Sequence, residues 1–173
     1  MSVSIPDGAV LILAIPAAAA AVLAATPGYR ASARLNMLSA LLTFLAALSL
    51  FAYRPDTGPT ILVDDLNIVF IVLNTFVAFT TSVFSASYIA HEIETGRLDE
   101  AHLRFYHTMY QVLLGAMNLA LVANNIGLMW VAIEVATLTT VVSVASSTAT
   151  HIRPMLLATS ARFMPSIINW YMA

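Results

Sequence analysis

Five windows of mainly apolar residues dominate the chain between Gly8 and Ala145, at 8–25, 35–53, 66–90, 105–123 and 126–145. Each is close to the roughly 20 residues that a helix needs to cross the hydrocarbon of a bilayer. Helix breakers and charges fall between the windows, at Thr26-Pro27-Gly28, at Arg54-Pro55-Asp56 and along His91 to Arg104. Glu134 is the one acid inside a window. The expected fold is therefore all-α and integral to a membrane, with about five transmembrane helices in a unit spanning 1–145. A linker and a C-terminal amphipathic segment follow at 146–173.

Composition agrees. Of the 173 residues, 60% are apolar and 9% are charged, against about 25% charged in an ordinary soluble domain. So few charges cannot cover a water-facing surface, which excludes a soluble globular enzyme. Seven Arg and no Lys leave no basic patch for phosphates, which excludes a nucleic-acid partner. The absence of Cys excludes a disulfide scaffold and a thiolate metal site. The first window has the Ala run of a signal peptide, but Met1 to Asp7 contains no Lys or Arg, so a retained membrane helix is expected.

Arg placement sets the expected orientation. Arg30 and Arg34 follow the first window, Arg97 and Arg104 the third, and Arg153 and Arg162 the fifth; only Arg54 lies on the other side. The N-terminus is expected outside, with the Arg-rich loops in the cytoplasm and the chain multi-pass in the inner (cytoplasmic) membrane. Asn124-Asn125 leaves room only for a tight turn, so the fourth and fifth helices are expected to be antiparallel neighbours. Asp65 is a candidate N-cap for the third helix. In the tail, helical phase puts Thr159, Arg162, Ser166 and Asn169 on one face. Met155, Leu156, Phe163, Ile167, Trp170 and Tyr171 fall on the other. That pattern fits a helix lying in the interface, or a remnant with no fixed structure.

Polar groups are costly in lipid, so their positions on each helix matter. On the fourth helix His107, Gln111, Asn118 and Asn125 fall within about 40° of one another. On the third, Asn67, Asn74, Thr81 and Tyr88 recur every seven residues, with Ser85 close by. Such stripes either glue helices together by hydrogen bonds or carry protons. Glu134, the ninth residue of its window, lies about 12 Å below the outer end, near mid-membrane, with Thr137 and Leu138 on its face. An acid at that depth marks an ion path by default. The expected proton path is Glu134, His107, Gln111 and Asn118, with Glu134 facing inward and the third to fifth helices meeting through their polar stripes. His91, His102 and His107 lack the spacing of a metal site, and no phosphate loop, nucleophile elbow or dinucleotide fingerprint occurs. No metal and no cofactor are expected.

The residues His-Leu-Arg-Phe-Tyr-His at 102–107, then Gln111, Gly115 to Met117, Asn124 to Trp130 and Val131 to Leu138, form a distinctive run. It resembles the proton-pumping, antiporter-like membrane subunits of respiratory complex I and group 4 hydrogenases, and most closely the F-type component of hydrogenase-4. Val63-Asp64-Asp65-Leu66 also looks like that family's approach to its third helix. The resemblance runs from about Leu11 to Ser146. It implies membrane-coupled proton translocation driven by electron transfer in partner subunits. Such subunits carry no flavin or iron–sulfur cluster, so the chain would be at most a non-catalytic part of a redox-driven oxidoreductase. It also implies that Glu134 is a functional acid paired with a Lys on a later helix. Family members continue through many more helices, and this chain has no Lys. A complete proton channel is therefore not expected within it. A truncated gene, a split subunit and a short paralogue kept as a scaffold all fit. Expected partners are the lipid bilayer and other membrane subunits of a hydrogenase-like or complex I-like assembly. The competing expectation is a structural or assembly membrane protein that transports nothing itself.

Overall fold

The computed structural model describes residues 8–26, 28–53, 60–94 and 100–145. The linker and amphipathic tail expected at 146–173 lie outside them. The described residues form five helices: α1 (Gly8–Ala25), α2 (Tyr29–Ser49), α3 (Asp65–Glu94), α4 (Glu100–Val122) and α5 (Ile126–Ala145). Chain contacts divide the protein into Met1–Thr140 and Val141–Ala173. Only 141–145 of the second unit are described.

The fold class is the expected one, an all-α membrane protein. α1, α2, α3 and α5 are each long and apolar enough to cross a bilayer. α4 is the polar member, with Arg104, His107, Gln111 and Asn118. It tolerates them because it packs against α1, α2 and α3, and its polar face is buried. Helix limits differ from the apolar windows mainly where a polar turn continues a helix: α2 begins at Tyr29, α3 runs on to Glu94 and α4 begins at Glu100.

The ends of the helices have identifiable causes. Gly28 starts α2 with φ 88°, a left-handed conformation that suits glycine. Asp64, not Asp65, caps α3: its Oδ1 accepts the Asn67 N–H at 2.7 Å, and Asp65 is already the first helical residue. Asn125 Oδ1 accepts the Gly127 N–H at 2.8 Å and so caps α5. The segment before α3 is tied to the α4–α5 turn. Leu62 N–H donates to Val122 O at 2.9 Å and Asn124 N–H to Thr60 O at 3.0 Å, forming an isolated antiparallel bridge between Ile61 and Ala123.

Two kinds of contact hold the bundle. At the bridge end lies an apolar core of Ala9, Ile12, Ala47, Leu50, Val63, Ile68, Ile71 and Val122. Lipid tails are as apolar as these side chains, so burial alone does not drive helices together; close approach and hydrogen bonds must contribute. α1 supplies the close approach through a buried row of Ala9, Ile12, Pro16, Ala19 and Leu23. Opposite Pro16 stands Gly115, where an added Cβ would sit 3.6 Å from the Pro16 ring. Outward positions such as Leu38, Leu42 and Leu45 on α2 and Leu66, Val69 and Leu73 on α3 are large and apolar, as a bilayer requires.

Candidate functional site

Three members of the expected α4 stripe, His107, Gln111 and Asn118, share its buried face, whereas Asn125 lies beyond the end of α4, exposed in the turn before α5; the three have different surroundings. Asn118 is fully buried. Its Nδ2 donates to the backbone carbonyl of Ile12 at 3.0 Å, and its Oδ1 accepts from Asn74 Nδ2 at 2.9 Å. The first bond has a local cause. Pro16 has no N–H, so the Ile12 carbonyl four residues earlier lacks its helical donor. Water cannot reach that carbonyl inside the bundle, and Asn118 supplies the missing donor. Asn118 thus joins the interrupted turn of α1 to α3.

The α3 stripe meets α4 as a hydrogen-bonded seam. Besides the Asn74–Asn118 bond, Tyr110 O–H donates to Ala78 O at 2.6 Å. Asn67 is used elsewhere: its Nδ2 donates to Leu62 O at 3.2 Å, at the start of α3. The Tyr88 side chain lies outside the described residues.

Gln111 faces α2 instead. Gln111 Nε2 donates to Ser39 Oγ at 2.7 Å and Asn36 Oδ1 at 2.8 Å, with Asn36 O at 3.2 Å. Ser39 Oγ in turn donates to Asn36 O at 2.9 Å. His107, one turn before Gln111, is fully buried with its ring edge-on to Tyr106. α2 itself carries a row of buried polar residues, Ser32, Asn36, Ser39 and Thr43. Sequence reasoning overlooked that row, although its 4-3-4 spacing puts all four residues within about 60° on one helix face.

Glu134 stands apart from these three. The expectation that it faces into the bundle is not met: it is exposed on the surface of the described unit. The inner face of α5 consists of small residues, Ala132, Ala136 and Thr139, which allow close contact with α4. Glu134 is about 160° around the helix from Ala132. On its outward side are Trp130, 63% exposed, and Leu138, 59% exposed. The structure therefore brings His107, Gln111 and Asn118 together inside the bundle and presents Glu134 to whatever covers α5.

The chain is 58% identical over 116 residues to the "Hydrogenase-4 component F homolog" of Methylacidiphilum infernorum (isolate V4). Over that stretch the chain is hydrogenase-4 component F-like. The match covers 67% of this chain and 24% of the relative, so the chain spans about a quarter of that relative's length. No family model matches the chain, and no solved structure does. The similarity and the apolar helices agree with a multi-pass membrane protein.

Proposed function

We propose that this chain forms part of a proton-translocating membrane subunit in a hydrogenase-like or complex I-like assembly. The observation that carries the reading is Glu134, a single carboxyl on the outward apolar face of a helix able to cross a membrane. On insertion scales an acid at mid-bilayer costs about 2.5–3.5 kcal/mol. A second protein segment covering that face, with a cation opposite the carboxyl, removes most of that cost. The family resemblance supplies the chemistry of the cation, a Lys, and this chain has none. In this reading the Lys comes from a further membrane segment, and Glu134 and that Lys exchange charge as a proton passes. His107 and Gln111 form an interior polar branch, and Asn118 holds the frame around it. The chain lies in the inner (cytoplasmic) membrane with its N-terminus outside, and other membrane subunits are its partners.

The test is Glu134→Gln in the assembled complex, with proton pumping and electron transfer measured separately. Pumping should fall sharply while the complex stays assembled. Unchanged pumping would remove the reading. An unassembled complex with normal residual pumping per assembled unit would instead favour the scaffold reading, for which the absence of Lys is the motivating feature.

A further inference from the structure

Three side chains carry every buried side-chain nitrogen or oxygen that lacks a partner among the described residues: Asn36 on α2, and Gln111 and His107 one turn apart on α4. These atoms are Asn36 Nδ2, Gln111 Oε1 and both ring nitrogens of His107. Their neighbours determine their character. The Asn36 backbone carbonyl can only accept, so the Gln111 atom 3.2 Å from it is the amide nitrogen. That nitrogen donates to the Asn36 side chain at 2.8 Å, so the near atom there is Oδ1 and the far atom is the donor Nδ2. The far atom of Gln111 is then the acceptor Oε1. A neutral His107 adds one donor and one acceptor.

Donors and acceptors therefore occur together on three side chains that are at most 1% exposed, Asn36 hydrogen-bonded to Gln111 and His107 one turn before Gln111 on the same face of α4. A metal cation would meet the Asn36 Nδ2 hydrogens where it needs lone pairs. An anion would meet Gln111 Oε1, and an apolar occupant would leave all four atoms unsatisfied. Water can donate and accept at once, and a buried water makes about three hydrogen bonds. The position also matters. His107 is three residues from Arg104, Asn36 is two from Arg34, and buried Ser32 lies one turn before Asn36.

We propose that Asn36, Gln111 and His107 bind ordered water inside the bundle, and that this water passes protons between His107 and the bundle end marked by Arg34 and Arg104. The proposal rests on reading His107 and Gln111 as proton-path residues, and it is separate from Glu134 on the outward face of α5. Water-edited solid-state NMR of the full chain in lipid bilayers tests it. The His107 ring is assigned by its loss in His107→Gln. Magnetisation from water should reach the His107 ring severalfold faster than it reaches Ile12 and Ile71, both fully buried in the apolar core. Gln111→Leu should slow that transfer severalfold, and Glu134→Gln should leave it unchanged. Transfer to His107 in the unmodified chain as slow as to Ile12 and Ile71 overturns the proposal, whatever Gln111→Leu does to folding. A hydrated His107 in a complex that still pumps with Glu134→Gln keeps this site and removes the Glu134 reading. A dry His107 in a complex whose pumping needs Glu134 does the reverse.

Discussion

Asn118 and Pro16 should be energetically coupled, although they lie 102 positions apart in the chain (118 − 16). Asn118→Ala removes the donor to Ile12 O and the acceptor for Asn74 Nδ2. Interhelical side-chain hydrogen bonds in membranes are worth about 0.6 kcal/mol on average and up to about 1.7. A buried carbonyl left without a donor costs about 1–3 kcal/mol. Asn74 is only partly buried and can re-pair, so most of the cost lies at Ile12 O. We expect Asn118→Ala to destabilise the bundle by about 2 kcal/mol, from the orphaned carbonyl and a small share for the Asn74 bond. Pro16→Ala restores an N–H that can donate to Ile12 O along the helix. In that background the orphaned carbonyl has a partner, and the cost of Asn118→Ala should fall by about 1–1.5 kcal/mol. The single Pro16→Ala is a poor test, because it also removes a buried ring from the packed face of α1. The cycle isolates the pair term. Reversible unfolding in bicelles, read for the four proteins of the cycle, gives it directly. Additivity within about 0.3–0.5 kcal/mol would refute the reasoning, because sites that share no partner behave that way.

Three further outcomes follow from particular contacts. Asp64→Ala should destabilise by about 0.5–2 kcal/mol through loss of the acceptor for the Asn67 N–H; an unchanged stability in the same unfolding assay would contradict the Asp64 assignment. Gly115→Ala should be tolerated, since its Cβ would lie 3.6 Å from Pro16, an ordinary contact. Gly115→Leu should force α1 and α4 apart at about 1–3 kcal/mol, visible as a lower thermal midpoint. Gly28→Ala has open space around it but a φ of 88° and ψ of 129°, so it should cost about 1–3 kcal/mol from backbone strain alone, read in the same unfolding assay.

Much of the fold was legible because lipid makes apolar length a direct signal. α5 occupies 126–145, and α1 occupies 8–25, where the apolar windows lay. The polar stripes were legible too, since each hydrogen-bonding residue in a membrane helix must find a direction. Their partners were not, because a stripe defines a face and not the neighbour opposite it. One face of α4 serves three helices: α2 through Gln111, α1 through the Ile12 carbonyl, and α3 through Asn74. The link between Asn118 and Pro16 depends on a carbonyl, which no side-chain pattern records. Asp64 and Asp65 were indistinguishable for a simpler reason: adjacent acids at a helix start differ only in backbone conformation.

The direction of Glu134 was legible, by a signal that depth alone hides. Ala132 and Ala136 sit four residues apart, and Thr139 follows three later, so small side chains form one continuous face of α5. Helices in membranes meet through small residues, because large ones keep the backbones apart. That face therefore belongs against α4, and the phase of the helix sends Glu134 to the opposite side with Trp130 and Leu138. Depth asks how costly a carboxyl is; phase asks which neighbour bears the cost. The first question made Glu134 the candidate acid, and in the proposed reading the second puts its partner outside this bundle. In the proposed reading the proton route therefore has two parts, an interior branch at His107 and Gln111, and a carboxyl whose counter-charge arrives on another segment.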